Sequence, residues 1–165
     1  MKDLPKRKHP RLKSYDYSEQ GLYFITICVK NREKLLCKIV GRSVLDAPKT
    51  ELTAIGKIVE KYINSINNAS KITVEKYVIM PDHIHLMVFV ENEDYYGASG
   101  TSRPTHSLIP RMVSGFKRLS NKEIGRNIWQ ASYYDHIIRD EKDYLVRWDY
   151  IENNPALWLL GKDEI

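Results

Sequence analysis

The sequence predicts an α+β domain in which helices pack on one face of an antiparallel sheet. Three observations predict this class: apolar stretches rich in β-branched and aromatic residues, segments with apolar residues at helical spacing, and the element order β-α-β-β-α-β-α. Of the 165 residues, 42% are hydrophobic and 28% are charged, which is typical of a globular domain with its own core. Residues 1–20 are polar and basic and are interpreted as an N-terminal arm, which leaves 21–165 as a single domain.

The first half of the domain is predicted to contain a strand at 22–29, a loop or short strand at 30–49, a helix that begins after Thr50, and strands at 71–80 and 83–90. The strands are stretches such as LYFITICV and HIHLMVFV. Thr50 is the predicted N-cap of the helix, with Glu51 in its first turn and an end near Asn67. Its apolar positions are Leu52, Ile55, Ile58 or Val59, and Ile63. The Pro81-Asp82 turn joins the two later strands into a hairpin.

The second half is predicted to contain a loop at 91–106, a helix at 107–125, a short strand at 128–139 and a last helix capped by Asp140. The loop carries Gly, Ser and Pro. The apolar stripe of the first of these helices consists of Ile109, Met112, Val113, Phe116 and Leu119. Pro155 disfavours helical geometry at the residue before it, so the last helix is predicted to end near Asn154.

Composition excludes several classes of protein. Cys28 and Cys37 form no CxxC pair, which excludes a cysteine-rich zinc module and a disulfide framework. Two reduced thiols are typical of a cytoplasmic protein. The sequence lacks an apolar run of about 18 residues, so no membrane span is expected, and its N-terminus lacks the apolar stretch of a signal peptide. The formal net charge of +5, which is concentrated near the N-terminus, favours a polyanionic partner.

The segment His83-Ile84-His85 opens the second strand of the predicted hairpin. Alternate side chains of a strand share a face, so both imidazoles project to one side, whereas Ile84, Leu86 and Val88 point to the other. Two neutral imidazoles in this arrangement can bind one divalent cation. The structural alternative is a pair of polar residues on the solvent-facing side of a strand.

Tyr150 and Asn154 lie four residues apart and share one face of the last helix. The predicted apolar stripe of this helix consists of Tyr144, Leu145, Trp148 and Ile151, and the residues roughly opposite are Tyr150, Asn154, Arg147 and Asp143. The amide oxygen of Asn154 is a ligand type that suits Mg²⁺ or Mn²⁺. From the spacing alone, however, a tyrosine at the helix rim and an asparagine that caps the helix before proline are favoured.

Four stretches of the chain carry a family resemblance. They are GLYFITICVKNRE at 21–33, VIMPDHIHLMV at 78–88, IWQASYYDHIIRDEKDY at 128–144 and DYIENNP at 149–155. In content and order they resemble the HUH-type single-tyrosine transposases, in particular the branch of REP-associated and IS200-like transposases. The resemblance implies the ferredoxin-like or RRM-like fold of HUH nucleases.

The resemblance also implies a set of site residues. His83 and His85 correspond to the metal pair, Asn154 to the third metal ligand, and Tyr150 to the nucleophile. Some relatives carry glutamine at the third ligand position, so the amide chemistry is retained. The implied cofactor is Mg²⁺ or Mn²⁺, and Asn153 lies one residue away from the family's ligand position.

The activity that the resemblance implies is cleavage and rejoining of single-stranded DNA, at ends that contain hairpins, through a covalent 5′-phosphotyrosine. Two basic sets are predicted to bind the DNA backbone: Lys6, Arg7, Lys8, Arg11 and Lys13 in the arm, and Arg111, Lys117, Arg118 and Lys122 on the 107–125 helix. A solvated tail and a solvated helix face are the alternatives. Some relatives are dimers and others are monomers, and a homodimer is mildly favoured. The expected location is the cytoplasm, in association with the nucleoid when DNA is bound.

Three other functions stay open at this point. They are a non-cutting hairpin-binding protein on the same fold, a metal-dependent phosphodiesterase that uses water, and an RNA-binding sheet module, which would need exposed aromatic residues on its strands. His136 is interpreted as a packed strand residue in preference to one that orients a site residue or contacts DNA. Asp82 is interpreted as a turn residue in preference to a hydrogen-bond acceptor that fixes the tautomer of an imidazole.

Overall fold

A computed structural model describes residues 20–41, 48–68, 71–91 and 108–162. Its elements are β1 (Gly21–Cys28), β2 (Cys37–Val40), β3 (Lys49–Leu52), α1 (Ala54–Ile66), β4 (Ile72–Ile79), β5 (His83–Val90), α2 (Leu108–Ile124), β6 (Tyr134–Ile138) and α3 (Glu141–Leu159), with a 3₁₀ turn at Lys30–Arg32. The predicted α+β class is confirmed. The predicted arm, apart from residue 20, and most of the predicted 91–106 loop lie outside the described residues.

The main sheet is antiparallel and has the strand order β4-β5-β1-β6. The two central strands are β1 and β5, which pair along their whole length from Gly21 opposite Val90 to Cys28 opposite His83. Both are dominated by apolar residues because each is covered on both faces. The predicted hairpin between β4 and β5 is confirmed, and β6 forms an edge next to β1.

The two faces of the sheet carry cores of different size. On one face, alternate residues of β1 and β5 such as Ile25, Ile27 and Leu86 pack against α1 and α2 in the large core. On the other face lies a core of four buried residues, Phe24, Met87, Ile138 and Ile151, of which the last belongs to α3. The expectation that the helices share one face is therefore wrong for α3, because Phe24 and Met87 give this face an apolar surface of its own.

The first helix begins at Ala54, so the predicted N-cap at Thr50 is wrong. Thr53 is the N-cap, and its hydroxyl oxygen accepts a hydrogen bond from Gly56 N at 3.0 Å. Thr50 instead lies in β3, which pairs with β2 in a small separate hairpin. Gly56 is required at this point because an added Cβ would lie 2.0 Å from the carbonyl oxygen of Leu36.

The last helix runs through Pro155 to Leu159, so its predicted end near Asn154 is also wrong. Proline removes one N–H from the helical ladder, but the turn that follows has packing partners that keep it helical. The ring of Trp158 lies 6.1 Å from the ring of His83, and the ammonium of Lys34 lies 5.4 Å from the Trp158 centroid.

Two residues of the predicted apolar stripes are exposed. Leu145 on α3 is 51% exposed and Leu119 on α2 is 37% exposed. Tyr144, Trp148 and Ile151 do pack in the small core as predicted. Among the described residues, no helix is both long enough and apolar enough to span a membrane.

Candidate active site

The two predicted metal-binding histidines lie side by side on β5, on the face that α3 covers. Their Nε2 atoms are 3.1 Å apart and their ring centroids 4.6 Å apart. His83 is 0% and His85 2% exposed, so the alternative of two solvent-facing polar residues is wrong. As predicted, Ile84, Leu86 and Val88 point into the large core on the other face.

The Nδ1 atom of each histidine ring has a polar partner, a carboxylate for His83 and a hydroxyl for His85. Asp82 Oδ1 lies 2.7 Å from Nδ1 of His83, and the other Asp82 oxygen pairs with Nε of Arg32 at 3.1 Å. Because a carboxylate only accepts, Nδ1 of His83 carries a proton, and in the neutral ring this tautomer leaves the lone pair on Nε2. Asp82 thus lies in the turn and also fixes the tautomer of His83, whereas the interpretation from sequence favoured the turn alone. Nδ1 of His85 lies 2.8 Å from the hydroxyl of Thr26, which can donate or accept, so either tautomer of His85 has a partner.

The environment also keeps His85 uncharged. Burial lowers the pKa of His85 well below 6.5, and electrostatic interactions with His83, Arg32 and Arg147 lower it further. At neutral pH the ring is therefore a neutral imidazole, which is the form that ligates metals.

Helix α3 brings the predicted nucleophile to this pair. The ring of Tyr150 is half-buried and lies 5.3 Å from the ring of His85 and 6.0 Å from that of Phe24. Trp158, eight residues later, lies beside His83. Positions spaced by four share a helix face, so Asn154 lies between Tyr150 and Trp158 on the face that meets the histidines.

Asn154 is fully buried and lies within α3, which continues to Leu159, so its interpretation as a cap at the helix end is wrong. Both its Oδ1 and its Nδ2 are buried without a hydrogen-bond partner. Buried polar atoms are rarely left unpaired, and such an atom calls for a functional explanation. An amide oxygen and two imidazole nitrogens fit a divalent cation. Among the described residues no cluster of three His, Cys, Asp or Glu side chains has this property, so the donor set depends on Asn154.

A cleft of about 270 Å³ opens beside Tyr150; its lining residues are Phe24, Thr26, His85, Tyr134, Asp135, His136, Arg147 and Tyr150. Nε2 of His136 lies 2.6 Å from Oδ2 of Asp143, and Nε of Arg147 donates to the other oxygen of Asp143 at 3.3 Å. The side chain of His136 is 44% exposed, so its interpretation as a packed strand residue is wrong. Arg147 and Asp143 share the helix face of Tyr150, as their spacing predicts, but no sequence motif indicates a role for them.

The predicted DNA-binding residues do not all lie near this cleft. Those of the arm fall outside the described residues. Arg111, Arg118 and Lys122 are exposed on α2, across the sheet from the histidines, and Arg111 lines a separate cleft of about 410 Å³ between α1 and α2. Their role in DNA binding stays a prediction.

Lys117 differs from the other basic residues of α2 because its amine is engaged by protein groups. The ammonium donates to the carbonyl oxygens of Gln130, Ala131 and Ser132 at 2.8, 3.3 and 3.0 Å. Burial lowers its pKa to about 8. Lys117 therefore ties the segment before β6 to α2.

Comparison with known proteins identifies the class to which this fold and site belong. Residues 18–154 match the family model described as Transposase IS200 like. The match spans most of the chain, so the chain belongs to the IS200-like transposase family, an enzyme family of DNA transposition, as the sequence motifs predicted. Within it, the chain is related to the REP-associated tyrosine transposases.

Two relatives and one solved structure are similar to this chain. A protein of uncharacterized function from Haemophilus influenzae is 34% identical over 92% of this chain and 89% of its own length. A second protein from the same organism, provisionally named a REP-associated tyrosine transposase, is 31% identical over 86% of this chain and 73% of its own. The solved structure of a REP-associated tyrosine transposase bound to a REP hairpin superposes with a TM-score of 0.57 at 23% identity, over 82% of this chain and 67% of that one. The last likeness shows a shared fold.

Proposed function

We propose that this protein cleaves and rejoins single-stranded DNA at hairpin-containing ends through a covalent 5′-phosphotyrosine on Tyr150. The observation that supports the proposal is the convergence of four groups: the paired imidazoles of His83 and His85, the unpartnered buried amide of Asn154, and the phenol of Tyr150 in an open cleft. A hairpin substrate is supported by the relative that was solved with a REP hairpin.

His83, His85 and Asn154 would hold Mg²⁺ or Mn²⁺. When bound, the cation would polarise the scissile phosphate and stabilise the negative charge that develops on its oxygens. Asp82 and Thr26 orient the two rings from behind, which keeps the ligand geometry fixed without rearrangement.

Tyr150 carries the covalent step. A tyrosine hydroxyl has a pKa of about 10, so at neutral pH the phenol must lose its proton to solvent as its oxygen bonds to phosphorus. The bond from phosphorus to the 3′-oxygen breaks, and this oxygen takes up a proton to give a free 3′-hydroxyl. A second 3′-hydroxyl reverses the step and rejoins a strand, so the bond energy is conserved and no ATP is needed.

The experiment uses a library of single-stranded hairpins with random flanks, labelled at the 3′ end, so that the covalently held fragment carries the label. With Mn²⁺, the wild-type protein is expected to give a labelled band on a denaturing gel, and Tyr150→Phe is expected to give none. Tyr144→Phe is the matched control, because that tyrosine lies two turns earlier on the same helix and lines a different groove. An adduct on Tyr150→Phe would overturn the choice of nucleophile.

The same assay separates the alternatives. A water-using phosphodiesterase would cut without an adduct and would survive Tyr150→Phe. A non-cutting hairpin-binding protein would shift the DNA but leave it intact. The RNA-binding alternative loses its main support, since Tyr23 and Phe24 of the central strand are 0% and 6% exposed.

Two further expectations accompany the proposal. Binding should weaken steeply between about 50 and 200 mM salt if the basic residues of the arm and α2 contact phosphates, and salt-independent affinity would contradict both patches. A homodimer stays a prediction, which light scattering of the purified protein would test; the rings of His83, His85 and Tyr150 already lie together within one chain.

A further inference from the structure

The cleft beside Tyr150 is bordered by β6, one of the two edge strands of the main sheet. Tyr134 lies on this strand, lines the cleft and is 56% exposed. Among the described residues it is the only aromatic side chain with so large an exposed fraction. Because the ring of Tyr134 is exposed to solvent in the free protein, packing does not explain its position beside Tyr150.

The pairing of the strands fixes where this ring lies relative to the site. Tyr134 on β6 is opposite Thr26 on β1, and Thr26 is opposite His85 on β5. The three side chains therefore form one row across the α3 face of the sheet. Two strand spacings separate the backbone positions of Tyr134 and His85 by about 10 Å.

A cation completes the border of the cleft. Arg147 lies one turn before Tyr150, and its guanidinium lies 5.3 Å from the ring centroid of Phe24. Its Nε donates to the carboxylate of Asp143, whose other oxygen contacts His136. Among the described residues, Arg147 and His136 are the basic side chains that pair with Asp143. The arginine is thus held in one orientation at the cleft, a third of its side chain still exposed. A planar guanidinium held in this way suits a phosphate, to which it can donate two parallel hydrogen bonds.

We propose that Tyr134 and Arg147 form a binding subsite for the nucleotide next to the scissile phosphate of single-stranded DNA. The base stacks on the ring of Tyr134, and its phosphate accepts hydrogen bonds from Arg147. Asp143 and His136 are positioning residues for Arg147. The inference rests on the proposed function, since it concerns the substrate of the same site. A base inside a duplex is already stacked, so this subsite selects a single strand.

The test measures binding without chemistry. Fluorescence anisotropy is recorded in EDTA with all variants in a Tyr150→Phe background, on a hairpin with a single-stranded flank and on the same hairpin without the flank. Tyr134→Ala is expected to weaken binding of the flanked hairpin roughly tenfold, the scale of one base–aromatic stack, and Tyr134→Phe should restore it. Arg147→Lys keeps the positive charge but cannot donate two parallel hydrogen bonds to a phosphate, so it should also weaken binding roughly tenfold. The matched control is Arg139→Gln, an exposed arginine that borders a different groove.

Unchanged binding by Tyr134→Ala, an equal loss on the hairpin without a flank, or a loss in Tyr134→Phe as large as in Tyr134→Ala would each overturn the subsite. A parent protein that does not bind the flanked hairpin would overturn it as well. Photocrosslinking of 5-iodouracil in the flank, with Tyr134 as the expected attachment point, gives a second readout. Because none of these measurements needs cleavage, a failure of the adduct assay and a failure of the subsite are distinguishable.

Discussion

Replacement of Asn154 by leucine should make the metal-free protein more stable while it abolishes metal binding. The amide is fully buried, and neither Oδ1 nor Nδ2 has a hydrogen-bond partner. Leucine has nearly the same branched shape and no polar atoms, so it removes the desolvation cost of the amide without opening a cavity.

The magnitude follows from the two unpaired atoms. A buried polar group without a partner costs about 1–3 kcal/mol, and the slightly larger methyl groups of leucine give back part of this gain. We expect a net increase of about 1–2 kcal/mol in the free energy of unfolding. For a chain of this size, that corresponds to a rise of roughly 2–8 °C in Tm.

The assay is urea and thermal unfolding in EDTA, repeated with excess Mn²⁺. Wild-type protein should gain about 2.7 kcal/mol when the metal is present at a hundred times its Kd, and Asn154→Leu should gain nothing. Asn153→Leu is the matched control, because Asn153 is exposed and its amide already donates to the carbonyl of Asp149 at 2.9 Å. That control should gain no stability in EDTA and should keep the response to Mn²⁺.

A lower stability of Asn154→Leu than of wild type in EDTA would contradict this expectation, because the amide would then make favourable contacts in the metal-free protein. Full stabilisation of Asn154→Leu by Mn²⁺ would also contradict it, because the amide oxygen would then not be a ligand. Equal changes in the Asn153 and Asn154 variants would point to a general effect on the helix.

Three further predictions concern the support of the site and the packing of the fold. Asp82→Asn should weaken Mn²⁺ binding by roughly 10–100-fold in calorimetric titration, because the carboxylate fixes the tautomer of a liganding ring; unchanged affinity would contradict this. Gly56→Ala should cost about 3 kcal/mol or more in urea unfolding, because the new Cβ meets Leu36 O at 2.0 Å, whereas Gly115→Ala, with nothing within 4 Å, should stabilise α2 by about 0.5–1 kcal/mol. In EDTA, stability should fall as the pH drops below about 6.5, by at most about 1.4 kcal/mol per pH unit, because His85 stays unprotonated in the native state while the unfolded chain takes up the proton; His85→Phe should flatten this slope.

The sequence was sufficient for the elements whose periodicity is strong. The hairpin of β4 and β5 and the long helix α2 were predicted within a few residues, because alternation and helical spacing directly reflect burial. It was insufficient for the small hairpin of β2 and β3, whose strands CKIV and KTEL are only four residues long and largely exposed. The true cap at Thr53 depends on the carbonyl groups of Leu35 and Leu36, which are distant in sequence.

The site was predicted by motif and spacing, but its environment was not. A polar residue on a helix usually faces water, so Tyr150 and Asn154 were placed opposite the apolar stripe, and Leu145 within it. Asn154 is instead buried and Leu145 exposed, because the sheet presents two histidines to α3 and a polar helix face packs against them. Trp148 and Ile151 of the stripe are packed as predicted. No periodicity rule contains this information, since it depends on which strand face lies beneath the helix.

The distribution of apolar residues explains why the site lies where it does. The large core behind the sheet holds the histidine strand in place through Ile84, Leu86 and Val88. The small core under α3 must leave room for polar groups, so contacts at the side of the helix also hold it in place. Lys76 forms an ion pair with Glu152, and its ammonium also contacts the ring of Trp148. The histidines are thus fixed by hydrophobic burial, whereas Tyr150, the proposed nucleophile, is held by a few contacts near the buried, unpaired amide of Asn154. A ligand that binds the amide of Asn154 would therefore fix the position of α3 and, with it, the position of Tyr150.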